Sequence, residues 1–392
     1  VRPIDLPKTS SPRDASVLIA ATSGRALARA ARDAGYTPLV ADFFADVDTR
    51  ELAHACRKMP SAIARGFQWQ SLAPALGGLA QDAPSPVCGL VYGAGFEDRP
   101  VLLDTIAERW PLLGNDAATV TAVKAPETFF AALDKLGIPH PATQTMRPEN
   151  GNHWVTKRRG GAGGGHVSQD PQRQSAADLY YQEWVEGRAV AAFFVADNKE
   201  AHVLGFSEQW TAPAPGRPWR YGGAVRPASL PKGTAVGMDR AVQAVTQAFG
   251  LRGLGSADFI VTQHGFYLLE INPRPGATLD LYAHKDAPPL ALHIDALLGR
   301  NLPPTRFANT DAAAAATVFA SEALTIPSDM TWPAWVSDVP QLGERIDKQR
   351  PICTVLARAA TAEDAKRLVE TRKTDVLSTL QNKTAAVGGE QL

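Results

Sequence analysis

Four side chains in one short stretch carry groups that could act together. They are the carboxylates of Asp258 and Glu270, the amide of Asn272 and the guanidinium of Arg274, in GSADFIVTQHGFYLLEINPRPG, residues 255–276. Two β-rich runs flank Gln263–Gly265, a spacing that predicts a hairpin closed by a three-residue loop with glycine at the left-handed position. Counting outward pairs Thr262 with Phe266, Asp258 with Glu270 and Ser256 with Asn272, and alternation puts the polar members on one face. The other face holds Ala257, Phe259, Val261, Tyr267, Leu269 and Ile271, all apolar, so the register is strongly specified. Opposed carboxylates repel unless a cation or a lysine lies between them. With the Asn272 amide they form a hard oxygen set without histidine or thiolate, which suits Mg2+ (or Mn2+) shared with phosphate oxygens and water. A solvated acidic face is the simpler alternative. Arg274 stands between Pro273 and Pro275, where its planar fork can stabilise charge on a transferred phosphoryl group.

The second constellation is KRRGGAGGGH, residues 157–166. Glycines let consecutive N–H groups turn inward as an anion nest, and Lys157 at a strand end supplies charge. Gly161, Gly163, Gly164 and Gly165 are the expected phosphate contacts, while Arg158, Arg159 and His166 fit a solvent-facing role equally well. No Gly-Lys-Ser/Thr follows, so this is not a P-loop of the Walker kind. A flexible hairpin tip is the competing reading. The third stretch, YQEWVEG at 181–187, is an extended run whose Glu183, Trp184 and Val185 could meet a planar heterocycle; an ordinary half-buried strand would look the same.

The elements that must position these groups begin with a buried strand Val17–Ala21, a turn Thr22–Gly24, a helix Arg25–Ala34 and a strand Pro38–Asp42, a βαβ opening. Its turn has one glycine where a dinucleotide fingerprint needs three, so the turn reads as architectural. A further strand, Val87–Val91, leads to Gly93, Gly95 and Glu97. That carboxylate either binds a substrate amine or sits in a solvated loop with Asp98 and Arg99. An amphipathic helix is expected over Lys124–Leu136, stopped by Gly137, then a strand Trp154–Lys157. Near the end a helix is expected from Ala362 to about Arg372.

The 392 residues exceed one ordinary domain. Forty basic residues balance 40 acidic ones, which predicts no nucleic-acid or membrane partner. Cys56, Cys88 and Cys353 are far apart, so neither zinc nor a disulfide framework is expected and a reducing cytoplasm is the simplest location. The apolar runs Val17–Ala21 and Ala312–Ala320 are too short for a signal core or a membrane span. Oligomeric state is left open, with a homodimer allowed.

Together these stretches resemble the ATP-grasp superfamily over roughly Lys124 to Leu281. In VKAPETFFAALDKLGIPHPAT, Lys124 matches the family's first phosphate lysine and Lys157 its second. Residues 160–165 match the phosphate-covering loop and QEWVEG the adenine-binding hinge, which implies backbone contacts from Glu183 and Val185. Asp258, Glu270 and Asn272 match the magnesium ligands. Two departures stand out. Gly187-Arg188-Ala189 replaces the usual ribose glutamate, and Ser256 stands where many members have an arginine. The hinge and the Glu208–Trp210 and Tyr221–Ala224 segments look nearest to the branch that contains tyramine-glutamate ligase.

The resemblance implies an α/β fold. A loose arm at 1–14 would precede a Rossmann-like domain at 15–116 and a two-lobed ATP-grasp domain at 117–300 with its hinge near 182–187. A carboxyl-terminal subdomain at 301–380 and a disordered tail at 381–392 would follow. The implied reaction is ATP- and magnesium-dependent joining of a small-molecule carboxylate and an amine through an acyl phosphate, with Lys157 and Arg274 acting on the transferred group. Two rivals use the same nucleotide site: a carboxylase taking bicarbonate, and a sensor in which ATP only closes the lobes.

Overall fold

The computed structural model describes residues 14–60, 62–149, 153–161, 163–168, 178–284, 287–300 and 311–389. Most of the expected amino-terminal arm and the last three residues of the expected tail lie outside this set. No helix of the described residues is long and apolar enough to cross a membrane.

Short runs of Val, Ile, Leu and Ala form a five-stranded parallel sheet, as expected for strands buried on both faces. Its order is Ala55–Lys58, Thr37–Asp42, Ser16–Ala20, Val87–Tyr92, Leu112–Leu113. The winding reverses between Ser16–Ala20 and Val87–Tyr92, and the loops that follow these two strands open a crevice. Gly24 shows why its turn is architectural. A Cβ there would lie 2.4 Å from Val40 Cγ1, and its N–H donates to Asp42 Oδ2 at 2.9 Å.

The expected helix Lys124–Leu136 is two helices, Ala117–Lys124 and Pro126–Leu136. Proline at the start of the second has no N–H to give and holds the preceding residue out of the helical region, so Ala125 is extended at φ −86°, ψ 110°. Lys124 therefore ends one helix instead of opening another. Gly137 closes the second helix in the left-handed conformation at φ 64°.

A small antiparallel sheet follows, ordered Thr143–Gln144, Leu179–Glu183, Trp154–Arg158, Val167–Ser168. From Glu183 the chain crosses at 184–187 into Arg188–Asp197, a strand of a second sheet of eight strands. That sheet runs Gly265–Asn272, Arg252–Thr262, Arg188–Asp197, Ala201–Thr211, Tyr221–Arg226, Ala312–Phe319, Pro351–Ala359, Val336–Ser337. Thus the segment beyond residue 310 continues the larger sheet, because Ala313–Ala316 pair with Gly223–Arg226.

The last helix does not stop near Arg372; it spans Ala362–Gly389 and so covers most of the stretch read as a disordered tail. The reason is packing. Val369, Val376 and Leu380 are buried together with Ala314 and Ala316 on the alanine-rich strand, whose small side chains let the helix approach.

Candidate functional site

The hairpin Arg252–Thr262 and Gly265–Asn272 places Asp258 opposite Glu270 and Ser256 opposite Asn272, as the spacing predicts. It reaches this pairing by another route. The loop has two residues, since Thr262 pairs with Gly265 and not with Phe266, and a bulge at Leu269 restores the register before Glu270. The bulge changes the faces. Leu268, not Tyr267 or Leu269, is buried with Phe259, Val261 and Ile271, and Leu269 lines the cleft beside Glu270.

A lysine stands at the paired carboxylates. Lys124 Nζ lies 3.4 Å from Glu270 Oε2 and donates to Asn272 Oδ1 at 3.0 Å. Asn272 Nδ2 donates to Asp258 Oδ2 at 2.9 Å, and Gln209 Nε2 to Asp258 Oδ1 at 3.3 Å. Burial and the charge of Glu270 push the Asp258 carboxyl up; for Glu270, burial is outweighed by Lys124, with His166 and Lys157 assisting, and its carboxyl is held low. Among the described residues no group of three His, Cys, Asp or Glu side chains forms a metal centre. Two carboxylates and an amide oxygen nevertheless fit magnesium, which keeps several waters and takes one or two carboxylates together with substrate phosphates.

Lys157 is buried at the end of Trp154–Arg158 and donates to Gln182 Oε1 at 2.7 Å. Burial pushes its ammonium down, and Glu270 partly offsets this. Past it the glycine loop is folded against two neighbours. Gly160, at φ 66°, packs so close to the loop at Glu97 that a Cβ would meet Glu97 O at 2.4 Å. Gly164, at φ 72°, lies against the backbone of Trp219, and Gly163 O accepts the Tyr221 N–H at 3.2 Å. Gly161 sits against His166, and Gly165 has open space around it. Arg158 and Arg159 turn outward to Asp178 and Glu127, which gives them surface roles.

At the crossing between sheets, the Glu183 N–H donates to Ala142 O at 2.8 Å and the Trp184 N–H to His153 O at 2.6 Å. Both donors are engaged within the small antiparallel sheet, so any backbone contact from Glu183 to a ligand would have to come from its carbonyl. Trp184 is 45% exposed and packs tilted against Trp219, with ring centroids 5.2 Å apart at an interplanar angle of 37°. Val185, Lys157, Asp258, Leu269, Glu270 and Arg274 all line one cleft of about 670 Å³ between the lobes. A cleft of this size encloses a drug-sized ligand.

Arg274 is buried and donates from Nε to Glu97 Oε1 at 2.6 Å. The other oxygen of Glu97 accepts the N–H groups of Gly95 and Phe96 at 2.8 and 3.0 Å. Although burial opposes it, Arg274 holds the Glu97 carboxyl below its usual range. Neither expectation for Glu97 is met: it is not in a solvated loop, and its charge is already paired. Asn115 fixes the base of the hairpin, donating to Arg252 O and Pro273 O at 2.9 Å each and accepting the Arg252 N–H at 2.8 Å.

Sequence reading missed Gln209, Gln182 and the partner role of Glu97. Gln182 had a signal, since it lies in the hinge motif and pairs with Val155, two residues before Lys157; Gln209 and Glu97 are set by tertiary contact.

Residues 127–278 match the family model described as ATP-grasp domain. No curated protein matches the chain by sequence. Among solved structures, the biotin carboxylase domain of 2-oxoglutarate carboxylase from Hydrogenobacter thermophilus, in complex with MgADP, ADP and bicarbonate, has a TM-score of 0.68 at 13% identity, over 90% of this chain and 88% of that one. The L-amino acid ligase from Bacillus licheniformis has a TM-score of 0.67 at 14% identity, over 92% and 97%. The N5-carboxyaminoimidazole ribonucleotide synthetase from Thermotoga maritima has a TM-score of 0.62 at 17% identity, over 92% and 98%. At such identities the likeness carries the fold.

Proposed function

Because the chain carries an ATP-grasp domain within an ATP-grasp fold, we propose that it is an ATP-dependent carboxylate–amine ligase. One observation supports this most: Asp258, Glu270, Lys157 and Arg274 line the cleft between the lobes and Lys124 stands against Glu270, a set suited to moving a phosphoryl group.

Lys157 and Lys124 would neutralise phosphate oxygens of ATP, and the N–H groups of Gly161, Gly163, Gly164 and Gly165 would cover them. The Val185 N–H and the Glu183 carbonyl would meet the adenine edge, with Trp184 at its rim. Asp258, Glu270 and Asn272 would hold magnesium or manganese, which when bound would screen the charge of the phosphates. Lys124 would then shift from the carboxylates towards the phosphates. A substrate carboxylate oxygen attacks the γ-phosphorus, the bond to the β-phosphate oxygen breaks and ADP leaves. Arg274, oriented by Glu97, stabilises charge on the phosphoryl group in flight. The amine nitrogen then attacks the acyl phosphate carbon, phosphate departs with the amine proton, and an amide remains. No protein nucleophile is needed.

The test is ADP release from paired carboxylates and amines, starting with glutamate and aromatic amines, for wild type and Glu270→Gln. Full ATP consumption by Glu270→Gln with the true substrates would refute the metal assignment. The bicarbonate of the Hydrogenobacter structure favours a second reading, carboxylation, which ADP release with bicarbonate and no amine would support. ATP binding without ADP across the whole panel would leave a sensor.

A further inference from the structure

Beside the nucleotide cleft lies a second cavity of about 250 Å³. It lies at the reversal point of the five-stranded sheet, walled by Thr22 and Ser23 after one strand and by Gly93 and Ala94 after its neighbour. Open α/β sheets bind ligands at such points. The eight-stranded sheet closes it from the other side with Tyr221, Ala315 and Thr317. Arg274 and Tyr221 line both this cavity and the nucleotide cleft, so the two spaces adjoin at the residue proposed to act on the phosphoryl group. The Tyr221 hydroxyl is buried without a hydrogen-bond partner among the described residues.

The charges at the wall do not cancel. Arg274 is paired with Glu97. Arg25 is held bidentately by Asp280, Nη1 to Oδ1 at 2.5 Å and Nη2 to Oδ2 at 2.7 Å. Asp338 meets the same guanidinium at 3.1 and 3.2 Å and also accepts from Ser23 at 3.2 Å. Two carboxylates therefore share one guanidinium, with Asp48 at 3.8 Å adding a third acid. Burial opposes ionisation of Asp338, but Arg25 outweighs it and keeps the carboxylate charged. Much of the remaining wall is small and apolar, including Ala26, Leu27, Ala277 and Leu279.

We propose that this second cavity receives the amine co-substrate as a small primary ammonium with an apolar body, its charge drawn to the Asp338–Asp280 wall and its nitrogen within reach of Tyr221. The volume lies below the roughly 300–1,000 Å³ that encloses a drug-sized ligand, so the body must be small. An excess of negative charge excludes a carboxylate from the same space. The assignment rests on the ligase reading, because only that reaction calls for an amine beside Arg274.

The test is calorimetric titration of the whole chain, saturated with magnesium and a non-hydrolysable ATP analogue. The probes are phenethylamine and butylamine, with phenylpropionate, butyrate and the corresponding alcohols as controls. Amines should bind at least ten-fold more tightly than the controls. Alternation along Ala312–Phe319 turns Ala315 towards the amino-terminal domain, so Ala315→Leu should weaken amine binding at least ten-fold while nucleotide affinity, the check on folding, is unchanged. Asp338→Asn should erase the preference for amines over alcohols. Tighter binding of carboxylates than amines, or amine binding that survives both variants, would overturn the assignment. ADP release is measured separately. Amine binding without ADP from any carboxylate would sink the ligase reading while leaving the amine chamber standing.

Discussion

Arg274 and Glu97, 177 positions apart in the chain, form a buried ion pair at 2.6 Å that ties the amino-terminal domain to the carboxyl end of the acidic hairpin. The pair makes Glu97 a positioning residue for Arg274. Glu97→Gln keeps the shape but removes the charge, and should lower kcat for ADP release by roughly 10²-fold, the scale of losing one aligned stabilising group, with little change in KM for ATP. Glu97→Ala should in addition cost about 3–5 kcal/mol of stability, as breaking a buried pair does. Steady-state kinetics and denaturant melts separate the two effects, and unchanged kcat in both variants would remove Glu97 from this role.

Lys157 is buried, with Gln182 within hydrogen-bond distance. Lys157→Met preserves the stem and deletes the ammonium. ATP affinity should fall and kcat should drop by about 10²-fold or more, while the melting temperature stays within a few degrees. Nucleotide titration beside turnover checks this.

Gly164 combines φ 72° with contact against Trp219 O, where a Cβ would sit 1.8 Å away. Gly164→Val should therefore push the glycine loop off the hairpin bearing Trp219. The expected outcome is weaker nucleotide binding with near-normal stability. Tryptophan fluorescence should change too, since Trp184 and Trp219 pack against each other beside the loop. Gly165 has open space around it, so Gly165→Ala should be milder in every readout.

His293 is buried; its Nδ1 accepts the Leu254 N–H at 2.8 Å and its Nε2 lies 3.0 Å from Leu113 O. Burial lowers its pKa from 6.5 to about 4. With the folded value below the unfolded one, the unfolded chain binds the extra proton between these limits. The contribution to stability is then complete above pH 6.5 and is lost as pH falls towards 4. Denaturant melts should show a shallower decline between pH 7 and 4 for His293→Gln than for wild type; equal slopes would contradict the assignment.

The acidic hairpin was legible because its information is local. Period-two alternation and a turn within 18 residues fix which side chains oppose, and the pairing of Asp258 with Glu270 follows even though the loop is one residue shorter and a bulge at Leu269 makes up the difference. Hidden from that counting was the fate of Leu269 itself, since a bulge leaves no mark in hydrophobic pattern. The break at Pro126 was readable in principle, because proline acts on its immediate predecessor.

Taken alone, the sequence determined the opposed carboxylates, the lysine at the mouth of a glycine-rich turn and the domain type that contains them. Those features depend on neighbours in the chain or on one strand pairing. Only tertiary structure decided that Glu97 orients Arg274, that Gln209 reaches Asp258, and that Ala312–Phe319 joins the larger sheet so that Tyr221 and Ala315 close a second cavity against Asp338 and Arg25. Such contacts arise from how separate sheets stack. Stacking is set by shape and burial summed over many residues, which no short motif encodes.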